Sequence, residues 1–295
     1  MSDISRLGFG CSGPWGMRWF DETRAIGLIR TAINSGITQF DTGSFYCDGE
    51  AERRLGLALS DLEANEKEAL TISSKTGTRK NTRGKLVKDF SEEAMRHDLE
   101  TSLQRIGVCR LDILYLHGPD DDSLQKALPV LVGFKQQGLI GNIGVCGVGR
   151  GLEVATNTPE VDVIMGTFNI LTHRHQETFR NAKQQGKKVV SIAPLAQGLY
   201  RQGFLQPRSL PDLWYLARAM VKNRTELRRA RSLKWLHEIE GWKASQLALR
   251  FVLDQTDIDT AMMTTTRPEH LILNIAATER NLPEMLSAKL AALAK

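Results

Sequence analysis

Short apolar runs alternate with longer amphipathic stretches along almost the whole chain. The apolar runs predict β-strands at 7–10, 37–41, 69–74, 111–116, 140–145, 161–165, 188–193 and 259–264. Between them, apolar residues recur at helical spacing, as Leu28, Ile29 and Ala32 do within 22–35. The pattern predicts a strand followed by a helix, repeated about eight times.

Start and stop signals place several of the helices. Ser91 is predicted to be the N-cap of a helix that buries Met95 and Leu99. Pro129 is predicted in the first turn of the next main helix, which Gly138 ends, because proline is tolerated there and not in a helix interior. Further helices are predicted at 50–60, 172–185, 225–241 and 243–254, with a long segment at 196–222.

The alternation runs through residues 1–295 without a linker or a change of composition, which predicts one α/β domain. Two parallel architectures fit it: a closed (β/α)8 TIM barrel and an open doubly wound sheet. The barrel is favoured because no G-x-G-x-x-G turn follows the first strand. Polar residues also end several successive strands, as they do at the mouth of an enzyme barrel.

Composition adds few constraints. A hydrophobic content of 41% with 25% charged residues is typical of a globular protein in solution. The net charge of +5 is concentrated in segments 79–88 and 222–234, which could meet phosphate groups but are more often solvated helix faces. Because no aromatic residues are interleaved in a recognition motif, nucleic-acid binding is a remote option.

The cysteines give an indication of the cellular compartment of the protein. Cys11, Cys47, Cys109 and Cys146 form no C-x-x-C pair or metal-ligand spacing, so no metal site is predicted. No apolar signal segment precedes them, which favours a reducing cytoplasm. No run reaches the roughly 20 apolar residues needed to cross a bilayer, so no membrane association is expected.

Four ionisable side chains fall at the ends of neighbouring predicted strands. Asp41 ends the second strand and Tyr46 lies in its loop, Lys75 ends the third strand, and His117 ends the fourth. Each has an ordinary structural explanation, as a turn cap, a loop aromatic, a rim cation or a hydrogen-bonded strand-end histidine. Because the carboxyl ends of barrel strands meet at one mouth, the four are expected to converge there.

Their chemistry suits proton transfer to a carbonyl oxygen. An unperturbed tyrosine has a pKa near 10, and a nearby ammonium favours the phenolate. Lys75 would supply that ammonium and lower the pKa of Tyr46, while Asp41 would hold Lys75 in place. His117 would orient a substrate carbonyl by donating a hydrogen bond. Tyr46 would then act as the general acid while hydride reaches the carbonyl carbon.

These residues lie in motifs that resemble the aldo-keto reductase superfamily. The motifs are F-D-T-G-x-x-Y-x5-E-x-x-L-G at 40–56, S-S-K at 73–75, L-D-I-L-Y-L-H at 111–117, G-L-I-G-N-I-G-V at 138–145, A-P-L-A-Q-G-L at 193–199, L-A-L-R-F-V at 247–252 and R-P-E-H-L-I-L-N at 267–274. The resemblance implies a TIM barrel, an extended nicotinamide dinucleotide, and reversible oxidoreduction of a small carbonyl or sugar. E-R-R-L-G at 52–56, Pro129 and Gly147 are similar to the aldose (sugar) dehydrogenase branch.

The resemblance also implies contacts to the nicotinamide half of the cofactor. They fall on Gly10, Cys11, Ser12, Asp41, Cys146, Gly147, Met165 and Ile192. The family usually has a Ser-Asn pair after strand five, a Gln on strand six and an aromatic ring on strand seven, whereas this chain has Cys146-Gly147, Met165 and Ile192 there. Asn169 is a candidate to replace part of the lost hydrogen bonding.

The rest of the cofactor maps onto two later segments. The loop at 195–198 would cover the pyrophosphate, with contacts from Pro194, Leu195, Gln197 and Gly198. The adenosine end maps onto Thr264, Thr265, Thr266, Arg267, His270 and Asn274. Hydroxyls, helix N-terminal N–H groups and a guanidinium suit a 2′-phosphate, which favours NADP over NAD.

Substrate contacts are predicted from aromatic residues near the mouth. Trp15 and Trp19, together with Tyr46 and His117, are the candidates. Tyr200, Phe204, Trp214 and Tyr215 lie in segments expected to surround the mouth, although loop packing explains any single one equally well.

Two functions follow from these assignments. The first is an NAD(P)-dependent oxidoreductase with Tyr46 as general acid and base. The alternative is a catalytically weak, cofactor-binding regulatory protein on the same fold, which the altered nicotinamide contacts favour. The sequence leaves the oligomeric state open.

Overall fold

The computed structural model describes residues 4–201, 204–222 and 224–294. Its strands are β1 (Leu7–Gly10), β2 (Gln39–Asp41), β3 (Thr71–Thr76), β4 (Thr78–Lys80), β5 (Leu86–Lys88), β6 (Leu111–His117), β7 (Ile140–Cys146), β8 (Val163–Thr167), β9 (Lys188–Ile192) and β10 (Thr260–Met263). All except β4 and β5 pair in parallel in the closed order β1-β10-β9-β8-β7-β6-β3-β2. The predicted (β/α)8 barrel is therefore confirmed, and the open doubly wound sheet is excluded.

Helices surround this barrel. They are α1 (Glu22–Asn34), α2 (Glu50–Leu59), α3 (Ala64–Glu68), α4 (Glu92–Ile106), α5 (Asp121–Gln136), α6 (Arg150–Thr156), α7 (Gln176–Gln184), α8 (Leu210–Lys222), α9 (Arg224–Arg229), α10 (Ala244–Leu253), α11 (Pro268–Thr278) and α12 (Glu284–Ala291). Short 3₁₀ turns cover Ile4–Arg6, Gly13–Gly16, Tyr46–Gly49, Ala196–Gly198, Ala230–His237 and Ala292–Ala294. Within the described ranges, no helix is long and apolar enough to cross a membrane.

The prediction that Ser91 caps a helix is confirmed, but the predicted position of Pro129 is wrong. The Ser91 hydroxyl accepts a hydrogen bond from the backbone N–H of Ala94. Pro129 lies in the middle of α5 and not in its first turn. The helix begins earlier because the Asp120 side chain accepts a hydrogen bond from the N–H of Ser123 at 2.8 Å and caps it there. Burial of apolar residues on both sides of the proline offsets the backbone hydrogen bond that proline cannot donate.

Three segments hold more regular structure than the apolar pattern predicts. Lys75 lies inside β3, which continues to Thr76, and does not end it. The stretch 77–89, for which the apolar pattern predicts no strand, contains the antiparallel hairpin of β4 and β5. The long segment 196–222 contains α8.

The barrel has two separate apolar cores, because side chains alternate between the two faces of each strand. The outer core fills the space between strands and helices. The inner cluster lies within the barrel and consists of Ile113, Tyr115, Cys146, Val163, Met165, Val190 and Met262, with Ile192 packed against it. On β6 the alternation that directs Ile113 and Tyr115 inward also directs His117 to the barrel mouth, because these residues are two positions apart.

Carboxylates bind backbone N–H groups at the opposite end of the barrel. Asp112 accepts from the N–H of Ile72, Asp162 from Ile143, and Asp259 from Val189, at 2.8, 2.8 and 2.7 Å. Each bond joins a carboxylate at or just before the start of one strand to a backbone N–H of the neighbouring strand. Backbone groups that the parallel sheet leaves unpaired at this end are satisfied in this way.

A cluster of aromatic rings containing two histidines fills the space between β8, α7 and α10. The rings of Phe168 and Phe251 stack at 5.7 Å between centroids, and His175 stacks on Phe179 at 6.1 Å. The Nε2 atoms of His173 and His175 are buried and have no hydrogen-bond partner among the described residues. Burial lowers the pKa of His175 from 6.5 to about 4 and lowers that of His173 as well. The fold therefore holds both rings neutral.

We predict that the protein loses stability as the pH falls from 6.5 toward 4. In that range the unfolded chain protonates His175 while the folded chain keeps it neutral, so the unfolded state binds more protons. Replacing His175→Asn should flatten this part of the stability curve measured by urea unfolding. His97→Asn, at an exposed position on α4, serves as the control. Equal pH dependence in the two variants would contradict the assignment.

Candidate active site

The structure brings Asp41, Tyr46, Lys75 and His117 together at the carboxyl end of the barrel strands. Lys75 Nζ donates hydrogen bonds to Asp41 Oδ2 at 2.5 Å and to the Thr42 carbonyl at 2.6 Å. The same ammonium lies 5.0 Å from the centroid of the Tyr46 ring. The Tyr46 ring meets the His117 ring edge-on, with 6.1 Å between centroids. The four predicted residues therefore form one cluster.

The register of β2 and β3 creates the ion pair. Asp41 lies opposite Ser73, and Lys75 is two residues further along β3 on the same face. The Ser73 hydroxyl donates to Asp41 Oδ1 at 2.8 Å, which fixes the carboxylate from its other side. The Lys75 side chain is 2% exposed. Burial opposes its charge, but the charge of Asp41 and its hydrogen bond, together with Tyr46 and Cys146, raise the pKa of the ammonium above its usual value.

A constrained backbone holds the Tyr46 ring. A side chain at Gly43 would meet the phenol ring at 3.2 Å, so glycine allows the loop to pass close to it. Cys47 and Asp48, which follow Tyr46, have φ angles of 54° and 60°. Left-handed conformations at residues other than glycine cost free energy and are concentrated at functional sites. The turn therefore restricts where the phenol can lie.

The expected lowering of the Tyr46 pKa is wrong as a net effect. Burial raises the pKa of the phenol to about 12, while the charge and hydrogen bond of Lys75 act in the opposite direction. Burial has the larger effect because the ring lies among apolar side chains, where an unsolvated phenolate is unfavourable. Tyr46 is therefore protonated at neutral pH, and Lys75 reduces the cost of removing its proton.

His117 is held neutral and flat against a second aromatic ring. Phe45 stacks on the imidazole with 5.3 Å between centroids and an angle of 23° between planes. Burial and the charges of Lys75 and Lys88 lower the pKa of His117 from 6.5 to about 3. Its Nδ1 atom is buried and has no partner among the residues that the structure describes. A neutral imidazole has one N–H donor, which can bind a carbonyl oxygen.

A buried carboxylate behind the site joins the catalytic strand to two helices. Glu52 on α2 is 0% exposed, and its Oε1 accepts hydrogen bonds from the hydroxyls of Ser74 and Ser102 at 2.7 and 2.6 Å. Its Oε2 accepts from Arg105 Nη1 at 3.1 Å, and the same nitrogen donates to the Ser44 carbonyl. Because Ser74 precedes Lys75 and Ser44 lies in the Tyr46 loop, Glu52 fixes the spacing between the two.

The residues predicted to contact the nicotinamide line an apolar floor. Cys146, Met165 and Ile192 belong to the inner barrel cluster, and Gly147 donates its N–H to the Met165 carbonyl at 3.1 Å. Burial raises the pKa of Cys146 to about 11, so its thiol is neutral. Asn169, the candidate replacement for the missing polar group, is hydrogen-bonded within the protein. Its amide donates to the Ala193 carbonyl and accepts from the N–H of Leu171.

Asn169 instead anchors the loop predicted to cover the pyrophosphate. Within this loop Ala193, Ala196 and Gln197 have φ angles of 54°, 46° and 53°. Pro194, Leu195 and Gly198 complete this tight turn. Three left-handed residues other than glycine in six positions are costly unless the surroundings enforce them. This loop has the strained backbone expected of a ligand-contacting segment.

The loop after β1 joins the last strand to the first at the mouth. The Thr264 hydroxyl donates to the Gly10 carbonyl at 2.7 Å, and the N–H of Cys11 donates to the Asp41 carbonyl at 2.7 Å. The Cys11 thiol is buried, and burial raises its pKa. Ser12, which the side-chain packing leaves half-buried, follows directly.

At the predicted adenosine end, an acidic residue that sequence reasoning missed joins two arginines. Asp212 on α8 accepts from Arg201 Nη1 at 2.9 Å and from Arg267 Nη2 at 3.0 Å. Thr265 Oγ1 accepts from the N–H of Arg267 at 3.2 Å, and Thr266 is buried beside it. Burial lowers the pKa of the nearby His270. The guanidinium of Arg267, which is expected to meet a phosphate, therefore also pairs with a carboxylate.

Asn274 lies deeper than its predicted role requires. It is 1% exposed, and its amide nitrogen donates to Met263 Sδ at 3.6 Å. The side chain thus joins α11 to β10. Helix packing buries Asn274, and its contact with the adenosine end of the cofactor stays a prediction.

Of the aromatic residues predicted to contact substrate, some lie in the protein core and others at the rim of the barrel mouth. Trp15 was expected to face substrate, but it is 0% exposed, and its Nε1 donates to the Ala25 carbonyl at 3.1 Å. Tyr200 and Phe204 are buried as well. Trp19 is 45% exposed and lines a surface groove with Glu50 and Arg54. The Trp214 ring lies 3.5 Å from where a side chain at Gly13 would begin, and packs edge-on with Tyr215.

Glu52 and Phe45 also escaped functional assignment from the sequence. Glu52 occurs in the apolar stripe of α2 with Leu55 and Leu59, at helical spacing. A charged residue in such a stripe signals a buried ion pair, so this contact could have been predicted. Phe45 carries no comparable signal, because its stacking on His117 depends on the turn.

Comparison with known proteins agrees with this geometry. The sequence pattern of the Aldo/keto reductase family matches residues 6–295. The chain is 28% identical to the L-galactose dehydrogenase of Arabidopsis thaliana, over 93% of this chain and 84% of that protein. It is 26% identical to the NADH-specific methylglyoxal reductase of Escherichia coli, over 95% and 92%. An aldo-keto reductase from Klebsiella pneumoniae in complex with NADPH has a TM-score of 0.74 at 20% identity, covering 98% of this chain and 90% of that chain.

We predict that Glu52→Gln destabilises the protein by about 3 kcal/mol, because it breaks a buried ion pair and weakens two charge-assisted hydrogen bonds. Urea unfolding monitored by tryptophan fluorescence measures the change. Glu100→Gln on the exposed face of α4 is the matched control and should change stability by less than about 0.5 kcal/mol. If both variants were equally stable, Glu52 would not hold the site together.

Proposed function

The chain belongs to the aldo/keto reductase family of oxidoreductases, and we propose that it interconverts a carbonyl group and an alcohol with NADP, using Tyr46 as general acid and base. The observation that carries this proposal is the buried contact of the Lys75 ammonium with Asp41 beside the Tyr46 ring. An ammonium fixed next to a phenol in a water-poor site serves proton transfer.

In the reducing direction Tyr46 gives its proton to the carbonyl oxygen. With a pKa raised to about 12 by burial, the phenol is fully protonated at neutral pH and available as an acid. The Lys75 ammonium then lies beside the phenolate and stabilises its charge. Asp41 and the Thr42 carbonyl keep the ammonium in place through the cycle. In the oxidising direction the same phenolate removes the alcohol proton.

His117 orients the carbonyl oxygen. It is neutral because burial and two lysine charges lower its pKa to about 3, so it can donate one hydrogen bond without competing as an acid. The Phe45 ring stacked on it limits rotation of the imidazole. Tyr46 and His117 would thus hold one oxygen between two donors and position the carbonyl carbon for attack.

The residues present fit a nicotinamide dinucleotide phosphate. When bound, that cofactor supplies the hydride for the carbonyl carbon. Cys146, Met165 and Ile192 offer an apolar surface for one face of the nicotinamide ring, and the strained 193–198 loop offers backbone groups to the pyrophosphate. Arg201 and Arg267 surround a single carboxylate, which leaves net positive charge beside the first turn of α11. That arrangement suits a 2′-phosphate.

The substrate class is an aldehyde, a ketone or an aldose. The relative named L-galactose dehydrogenase supports a sugar, and the relative named methylglyoxal reductase supports a small carbonyl compound. Trp214 at the β1 loop is the aromatic residue best placed at the rim to pack on such a molecule.

A second candidate is a cofactor-binding regulatory protein with little turnover. The apolar residues Cys146, Met165 and Ile192 favour it, because they provide no side-chain donor for the nicotinamide amide. This candidate predicts tight NADPH binding without oxidation of NADPH across a panel of aldehydes, ketones and aldoses.

We predict that Tyr46→Phe lowers kcat between about 100-fold and 10,000-fold, because it removes the acid but not the ring. The variant should bind NADPH and NADH as tightly as the wild-type protein does, and both proteins should bind NADPH more tightly than NADH. Nicotinamide fluorescence measures this binding. Tyr200→Phe is the matched control. It removes a buried phenol oxygen that has no hydrogen-bond partner within the described ranges, so kcat should stay at the wild-type value.

Full turnover by Tyr46→Phe would refute the acid role. Binding of neither nucleotide to the wild-type protein would refute both candidate functions.

A further inference from the structure

The hairpin of β4 and β5 carries a lysine back to the mouth of the barrel. Thr78 at its start pairs with Lys88 at its end, and the tip of the hairpin is exposed. Thr78 follows β3 closely, so the base of the hairpin lies beside the strand end that carries Lys75. Lys88 is therefore fixed near the site by backbone pairing.

The Lys88 ammonium contacts the backbone of His117. Its Nζ donates to the His117 carbonyl and, at 2.7 Å, to the hydroxyl of Thr78. A side chain at Gly118 would begin 3.0 Å from this nitrogen, so the glycine leaves room for the ammonium. A lysine ammonium has three donors, and these contacts use two of them.

The charge of Lys88 is not neutralised by the protein. In the part of the chain that the structure describes, Lys88 forms no ion pair with a carboxylate. Two other cations of this hairpin are paired with carboxylates. Arg79 lies 3.3 Å from Asp89, and Lys80 pairs with Asp48. Lys75 is neutralised by Asp41. The charge of Lys88 nevertheless reaches the His117 imidazole, whose protonation it disfavours.

We propose that Lys88 binds the carboxylate of the substrate while Tyr46 and His117 hold its carbonyl oxygen. The preferred substrates are then carbonyl acids: short oxo acids, or aldoses that carry a carboxylate. The inference rests on the proposed function and specifies its substrate class. A single unpaired ammonium matches the single charge of a carboxylate, whereas a phosphate dianion requires more positive charge or more donors.

The hydrogen bonds of Lys88 make it a suitable anchor. Both known acceptors are neutral oxygens, so a carboxylate can approach the third N–H without displacing an existing ion pair. His117 takes part at both ends of the substrate: its imidazole would bind the carbonyl oxygen, and its backbone carbonyl accepts a hydrogen bond from Lys88. The distance between the two ends of a bound carbonyl acid would therefore be set by one residue, His117.

The test compares each acid with its uncharged methyl ester. kcat/KM is measured with NADPH for 4-oxobutanoate and 4-formylbenzoate and for their methyl esters, which present two distances between carbonyl and carboxylate. The wild-type protein should prefer at least one acid over its ester by about tenfold. Lys88→Met should lower kcat/KM for that acid about tenfold more than for the ester, and Lys88→Arg should retain the preference.

Lys85→Met is the matched control, because Lys85 is an exposed lysine of the same hairpin. It should retain the wild-type preference. The proposal is overturned if the wild-type protein prefers neither acid, or if Lys88→Met lowers acid and ester turnover equally. Failure of all four compounds to be reduced would overturn the proposed function as well, whereas ester reduction without acid preference overturns this inference alone.

Discussion

The ion pair between Lys75 and Asp41 is the interaction on which the site depends. An ammonium that is 2% exposed is stable only where its charge and its N–H donors are satisfied, and Asp41 and the Thr42 carbonyl provide this. Both acceptors come from the end of β2, while Lys75 comes from β3. Correct register between these two strands is therefore a condition for holding the ammonium beside Tyr46.

The surrounding structure stabilises that ion pair and the loops beside it. The fully buried Glu52 ties β3 to α2, α4 and the Tyr46 loop through two buried hydroxyls and the half-buried guanidinium of Arg105. Left-handed residues at Cys47 and in the 193–198 loop form tight turns on opposite sides of the mouth. Packing and hydrogen bonds elsewhere offset the backbone strain at these positions, which allows rigid placement of groups that contact ligands.

The sequence predicts the barrel and its four central residues because both follow from local pattern. Apolar runs determine strands, and a residue at a strand end must lie at the mouth of the barrel. Contacts between distant segments are not encoded in this way. The Asp212 pairing with Arg267 depends on how α8 lies relative to the start of α11, and the burial of Trp15 depends on packing against α1. The net pKa of Tyr46 escaped prediction because burial is a property of the whole fold.

The central claim is that Lys75 enables Tyr46 to exchange a proton with a carbonyl oxygen. The most direct measurement is kcat for reduction of a neutral aldehyde by Lys75→Met, with NADPH binding and circular dichroism recorded on the same sample. We expect the variant to fold and to bind NADPH while kcat falls about 100-fold or more. A folded, NADPH-binding Lys75→Met protein that keeps the wild-type kcat would contradict it.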